Sequence, residues 1–301
     1  PRMNAISVQP VVDMRKVRRA VRSPKGNLVL VLGAIAVIAL TTEDASHAIP
    51  TVMNAVGAAT LADIIIQRIE RGIWIFPTAG ILSGLIVALL LSPFDAGMIA
   101  PATAVLAITS KHLLRVRLAN VFNPAALALV LAAVLFDAGH SWWGALPELG
   151  WGGALIIGAA GWYTADRINK LPMVLTFLGM FYALATAASF VGEPSDFASL
   201  FRAPDLQAAL FFAFFMLDDP PTSPVKYRDQ AVFGVLVAVA AFAGFEAFGW
   251  LYYMLAGLLI GNAWWAALRT YRSRTRRSGA SPAGEARPVH ATLQATADRR
   301  L

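Results

Sequence analysis

The sequence predicts an all-α integral membrane protein of about ten transmembrane helices, and three observations lead there. Of the 301 residues, 57% are hydrophobic and only 14% are charged, with a mean hydropathy of +0.61. A soluble domain carries about 25% charged residues, so this chain lacks the charge to coat a water-facing surface. The apolar residues run continuously instead of alternating, which is the pattern of helical spans and not of a barrel. Basic residues gather in every second loop, as cytoplasmic loops do. Length alone would suggest two soluble domains, and the apolar runs overrule it.

In chain order, apolar stretches fall at about 27–42, 48–66, 73–91, 97–110, 121–136, 151–165, 172–190, 206–218, 231–248 and 251–268. Crossing the hydrocarbon takes about 20 helical residues. Several stretches reach that length, whereas 97–110, 151–165 and 206–218 are short, as expected of tilted or broken helices. The domain plan is a basic tail at 1–26, one membrane domain at 27–268 and a second basic, flexible tail at 269–301.

Charge tests this parse independently. Arg2, Arg15, Lys16, Arg18, Arg19, Arg22 and Lys25 precede the first span. Arg68 and Arg71 follow the second; Lys111, Arg115 and Arg117 the fourth; Arg167 and Lys170 the sixth; Lys226 and Arg228 the eighth; and eight arginines the tenth. Only Arg202 of the 25 basic residues falls on the other side, where Glu43, Asp44, Asp95, Asp137, Glu148, Glu193, Asp196 and Asp205 lie. The eight tryptophans fall at span edges, with Trp142, Trp143, Trp151 and Trp250 outside and Trp74, Trp162, Trp264 and Trp265 inside, the level that indole prefers. A multi-pass protein of the bacterial inner membrane follows, with both termini cytoplasmic and no cleavable signal peptide. The net charge of +7 is then a matter of topology and of anionic lipid facing the tails, and no nucleic-acid partner is expected. The absence of cysteine excludes disulfides, thiol catalysis and Cys-ligated zinc or iron–sulfur centres in this chain.

Three segments interrupt the membrane pattern. Phe211–Leu217 runs into Asp218-Asp219-Pro220-Pro221-Thr222-Ser223-Pro224, and the prolines must end the helix. Two readings stand: a surface helix end with solvated aspartates, or a break at membrane depth, where ionisable residues mark function. In the second segment, Lys111-His112 is followed by Asn120-Val121-Phe122-Asn123-Pro124. Asn123 can cap the next helix with Pro124 in its first turn, and such an N-terminus also suits an anion. Third, Gly80-Ile81-Leu82-Ser83-Gly84 leads to Leu91-Ser92-Pro93-Phe94-Asp95. Breaks in the third and eighth spans, five apart, are what two inverted five-helix repeats (about 27–136 and 151–268) would produce around a central site. Asp63, Glu246, Asn54 and Asn262 are further intramembrane polar residues. For Asp63 and Glu246, ion carriage and snorkelling to the surface both remain open. The four histidines are scattered without metal-ligand or haem-ligand spacing, and no hydrolytic triad, P-loop or dinucleotide fingerprint is present.

Taken together, Ser110-Lys111-His112-Leu113, Asn120-Val121-Phe122-Asn123-Pro124-Ala125 and Asp218-Asp219-Pro220-Pro221-Thr222-Ser223-Pro224 resemble motifs of one membrane-protein family. Its members are the D-type membrane subunit of Rnf electron-transport complexes and the B-type membrane subunit of the sodium-pumping NADH:quinone reductase. The likeness covers about 27–268. It implies a ten-span fold of two inverted halves, similar to urea transporters, and a part in flavin-mediated electron transfer. In that family an outer-loop Thr carries FMN through a phosphoester. The corresponding loop here, Asp137–Glu148, holds no Thr, so covalent FMN is not expected there.

The expectation is therefore an electron-transport subunit that holds FMN or riboflavin non-covalently between the two breaks. Lys111, His112, Asn120, Asn123 and Pro124 would lie on one side, and Asp218, Asp219, Thr222 and Ser223 on the other. Its partners would be the bilayer and redox subunits or a cytoplasmic flavoprotein. A small-solute or ion channel or transporter on the same fold is the alternative, and an anchor for a soluble oxidoreductase is the second.

Overall fold

The computed structural model describes residues 23–72, 74–95, 97–116, 119–192 and 194–279. The basic stretches at 1–22 and 280–301 lie outside the described residues. Among these, ten helices of eleven or more residues follow one another: α1 (Pro24–Ala39), α2 (Ala45–Arg71), α3 (Thr78–Leu90), α4 (Ile99–Leu113), α5 (Pro124–Phe136), α6 (Gly150–Arg167), α7 (Leu171–Ala188), α8 (Asp205–Phe215), α9 (Tyr227–Phe248) and α10 (Tyr253–Gly279). Each coincides with one of the ten apolar stretches. A two-residue hairpin, β1 (Arg115–Val116) with β2 (Ala119–Asn120), joins α4 to α5.

Only three of these helices, α2, α7 and α9, are by length and composition able to cross a membrane alone, and not ten; α1, α3, α5 and α8 are shorter apolar helices. The chain is thus a helical protein with membrane-span-capable helices. The shortfall has a physical cause. At 1.5 Å per residue, the 11 residues of α8 reach about 17 Å and the 13 of α3 about 20 Å, against a hydrocarbon core of about 30 Å. Both end inside the protein, because every residue of Leu85–Leu91 and Phe211–Asp218 is buried.

A helix that ends in the interior leaves its last carbonyls without partners. At α3 they are met by the segment after α5. Trp143 Nε1 donates to Ala88 O at 2.8 Å, while Ser141 N and Trp142 N donate to Leu90 O and Ser92 N donates to Gly139 O. The loop expected outside the membrane, Asp137–Glu148, therefore plugs the end of α3. Trp142 and Trp143, expected at the interface, are core residues at 7% and 1% exposure. Trp74, Trp151 and Trp162 are exposed, as an aromatic belt requires.

Packing repeats along the chain. In the first half α1 packs on α3, and α2 on both α3 and α4. In the second, α6 packs on α8, and α7 on both α8 and α9. Gly80 and Gly84 let α3 lie against α2: a Cβ on Gly84 would sit 2.6 Å from Val56 Cα, the close approach that small residues four apart allow.

Three boundaries differ from expectation. Ser23 Oγ accepts from Gly26 N at 3.1 Å, so α1 begins at Pro24 and takes Lys25 out of the tail. α2 continues to Arg71, where Gly72 closes it at φ 68°. α10 runs to Gly279, so 269–279 is helical and not part of a flexible tail. The chain divides into two units, Pro1–Trp265 and Ala266–Leu301. The described part of the second is helix, with Thr270 and Ser273 hydroxyls bonded back to Ala266 O and Thr270 O.

Candidate functional site

The expected site residues divide between two cavities. Lys111, His112 and Asn120 line a cleft of about 390 Å³ that also takes in Lys25, Asp63, Gln67, Arg71, Phe76, Arg115 and Pro221. Asn123, Pro124, Asp218 and Asp219 line a second, of about 90 Å³, together with Lys25, Ser83, Thr164, Arg167 and Phe215. Thr222 and Ser223 are buried at 0% and 3% exposure and line neither of these two cavities. Lys25, placed in the tail by sequence, borders both.

The cleft is built on a fully buried carboxylate. Asp63, on α2, accepts from Lys111 Nζ at 3.1 Å through Oδ1 and from Gly80 N at 3.2 Å through Oδ2. The second bond caps α3 from another helix, since Pro77 at its N-cap position makes no side-chain cap. Surface snorkelling of Asp63 is therefore not what the fold does with it: the helix runs two turns further, and the carboxylate is spent inside. His112 Nδ1 lies 2.9 Å from Glu70 Oε1, its Nε2 3.7 Å from Asp63 Oδ1, and that nitrogen has no hydrogen-bond partner. Glu246 and Asn54 lie at exposed positions.

Around the second cavity, which charged side chains also line, amides make the bonds between helices. Asn123 caps α5 through Oδ1 to Ala126 N at 3.1 Å, and its Nδ2 donates to Met216 O at 3.1 Å. Asn262 Oδ1 accepts from Asn123 N at 2.8 Å, while Asn262 Nδ2 donates to Thr222 O at 3.2 Å. Two asparagines thus tie α5, α10 and the break after α8. Within the break, Thr222 Oγ1 donates to Asp219 Oδ2 at 2.9 Å and Ser223 Oγ to Asp219 O at 2.7 Å. Lys170, in the turn between α6 and α7, donates to Ser223 Oγ at 2.9 Å and to Pro224 O. Burial drives its ammonium down to about 8, against the pull of Asp218 and Asp219. Asp218, expected to be solvated if the segment were a plain surface helix end, is 3% exposed.

Lys170, Lys25, Asp63 and Asn262 complete the two sites. Asp63 and Asn262 are visible in the sequence as intramembrane polar residues. Lys25 and Lys170 read as topology markers only, because a loop lysine gives no sequence sign of being folded inward.

At the other end of α3, against the break itself, a third cavity of about 200 Å³ is lined by Ser46, His47, Thr51, Asn54, Ser92 and Asp95 among others. Burial raises the Asp95 carboxyl, Gly139 N–H donation opposes that, and the Asp137 charge adds to it. Hydrogen bonds from Ser46 and His47 lower Asp44. Among the described residues no cluster of His, Asp and Glu is arranged to hold a metal.

Neither a family model nor a curated protein matches the chain.

Proposed function

We propose that the chain is a membrane-embedded electron-transport subunit that holds a flavin non-covalently and passes electrons within or across the membrane. The resemblance to the D-type Rnf protein and its sodium-pumping counterpart supplies the class. The observation that carries it here is the 390 Å³ cleft, which puts Lys111, His112 and Asn120 in one wall with Lys25, Arg71, Arg115 and Phe76. That volume lies within the about 300–1,000 Å³ range of small-molecule pockets, and its cations and aromatic ring suit an anionic, planar ligand. The 90 Å³ cavity at Asn123, Asp218 and Asp219 falls below it. The flavin is therefore assigned to the cleft alone, with the Asn123–Asp219 region as its supporting wall and not its second face. A bound flavin would supply the electron chemistry; the protein's residues bind and orient it.

Ten segments in two inverted halves form the scaffold. The recurrent pairing of first with third helix and of second with third and fourth supports two repeats, and the buried ends of α3 and α8 supply the paired breaks. The loop that would carry covalent FMN is spent as the plug of α3, consistent with a non-covalent cofactor. Redox subunits or a cytoplasmic flavoprotein would dock on the basic inner face. A transporter of small solutes or ions is the second reading, favoured by the polar 200 Å³ cavity at the α3 break, at the far end of that helix from the cleft.

An absorption spectrum of the purified chain tests the first reading. Flavin bands, present on isolation or regained with FMN or riboflavin, are the expected result. A colourless protein that binds neither overturns it, and solute flux in liposomes would then establish the second.

A further inference from the structure

Asp63 is placed as an internal counter-ion that a ligand can displace. It is 0% exposed, and Lys111, which it neutralises, opens onto the cleft with a side chain 17% exposed. Around that ammonium stand Lys25 on α1, Arg71 on α2 and Arg115 on β1, with the Asp219 carboxylate beyond, in the break after α8. Facing Asp63 are Lys111 and His112 from α4, the Gly80 N–H at the positive end of α3 and, through His112, Glu70 on its own helix. An anion that enters the cleft meets four basic side chains and repels one buried carboxylate.

The route by which that repulsion can be relieved is also built. Glu70, with a side chain 38% exposed, touches His112 Nδ1 at 2.9 Å. His112 Nε2, buried and unpartnered, faces Asp63 at 3.7 Å, about 0.7 Å beyond an ordinary hydrogen bond. Acidic residues joined by histidine inside a membrane protein are a recurrent form of proton relay.

We propose that the cleft binds a phosphate-bearing anion and that binding is coupled to uptake of one proton by Asp63, delivered from Glu70 through His112. In the transfer, Glu70 binds a proton from water and passes it to His112 Nδ1 while Nε2 releases its own to Asp63 Oδ1, so that Glu70 ends as the carboxylate it began as and one proton has entered from solvent. Protonated Asp63 frees the Lys111 charge for the anion. The inference deepens the flavin reading by selecting FMN over riboflavin, but a phosphate without a flavin satisfies it equally.

Calorimetric titration of the full chain in phosphatidylcholine nanodiscs tests it, at neutral pH in two buffers of different ionisation enthalpy. Pyrophosphate, FMN and riboflavin are the probes. Pyrophosphate and FMN should bind with about one proton taken up. In D63N the uptake should vanish and pyrophosphate should bind at least tenfold tighter; in K111Q it should bind at least tenfold weaker. Stopped-flow detection of the uptake should be at least tenfold slower in H112Q and be restored by added imidazole, which a merely structural His112 would not show. Loss of pyrophosphate affinity in phosphatidylglycerol discs, with proton uptake kept, would assign the phosphate to a lipid headgroup. No pyrophosphate binding, or binding with no proton uptake, overturns the proposal. If riboflavin binds as tightly as FMN without uptake, the flavin reading stands and this inference falls. If pyrophosphate binds with uptake while both flavins fail, the reverse holds.

Discussion

Two polar regions of the protein each bury ionisable groups, Asp63 beside Lys111 in one and Asp218 and Lys170 in the other, but they are tied across the fold by different bonds. Below α3 the fold closes with ions: Asp63, Lys111, His112 and Glu70 cross-link α2 and α4 beside an open cleft. Below α8 it closes mainly with amides and hydroxyls: Asn123, Asn262, Thr222 and Ser223 knit the break to α5 and α10 around a cavity too small for a cofactor. Neutral groups cost less to desolvate than charges and bond in fixed directions, so they suit a permanent joint. A buried charge is costly unless it is paired. It is a poor way to build stability alone, but it leaves a charge that a ligand can reclaim. The difference marks the first region as the place for binding and the second as the frame that holds its wall.

The largest effect should come from breaking the ionic side. K111M leaves a fully buried carboxylate without its partner and should cost about 3 kcal/mol, the lower part of the range for breaking a buried pair, since His112 stands by. D63N should cost less, because Lys111 has some access to water and Asn keeps an acceptor for Gly80 N–H. D63N/K111M, with both charges gone, should be more stable than K111M alone. Thermal unfolding in one detergent checks the order; a double variant as unstable as K111M would show that the pair does not act as a unit.

Next comes the lysine on the amide side. Burial lowers Lys170 to about 8, against about 10.4 in the unfolded chain. Between those values the unfolded state binds more protons than the folded one, so stability rises with pH across about 8 to 10.4 and the penalty is fully present below 8. The expected gain is about 2 kcal/mol. K170M should flatten that rise relative to the parent when unfolding is measured at pH 7.5 and pH 10; parallel profiles would contradict the burial of a charged ammonium.

Much of the framework is legible in the sequence. Ten helices coincide with the ten apolar stretches because continuous hydrophobicity and proline punctuation are local signals. Asn123 as a cap and the break at Asp218–Pro224 are readable for the same reason. Division of the site residues between two cavities is not, because it depends on where α3 packs, and that is set by Gly80 and Gly84 meeting α2 across the fold. The plug at Trp142 and Trp143 is hidden too: tryptophan beside a span edge reads alike whether it faces lipid or caps the end of a helix.

Among neutral contacts, the graded prediction runs from Asn262 to Thr222. Asn262→Leu strands Asn123 N–H and Thr222 O in the interior and should cost about 1–2 kcal/mol, the upper part of what interhelical hydrogen bonds are worth in membranes.

Thr222→Val is the smallest change and the most discriminating. It removes only the hydroxyl that Asp219 Oδ2 accepts at 2.9 Å, while the backbone carbonyl held by Asn262 is untouched. The expected loss is about 1 kcal/mol. Because the site volume is conserved and the cleft does not include Thr222, pyrophosphate affinity should stay within twofold of the parent. If Thr222→Val weakened binding as K111Q should, the amide-knit break would be part of the binding site, and the division between a binding cleft and a supporting frame would not hold.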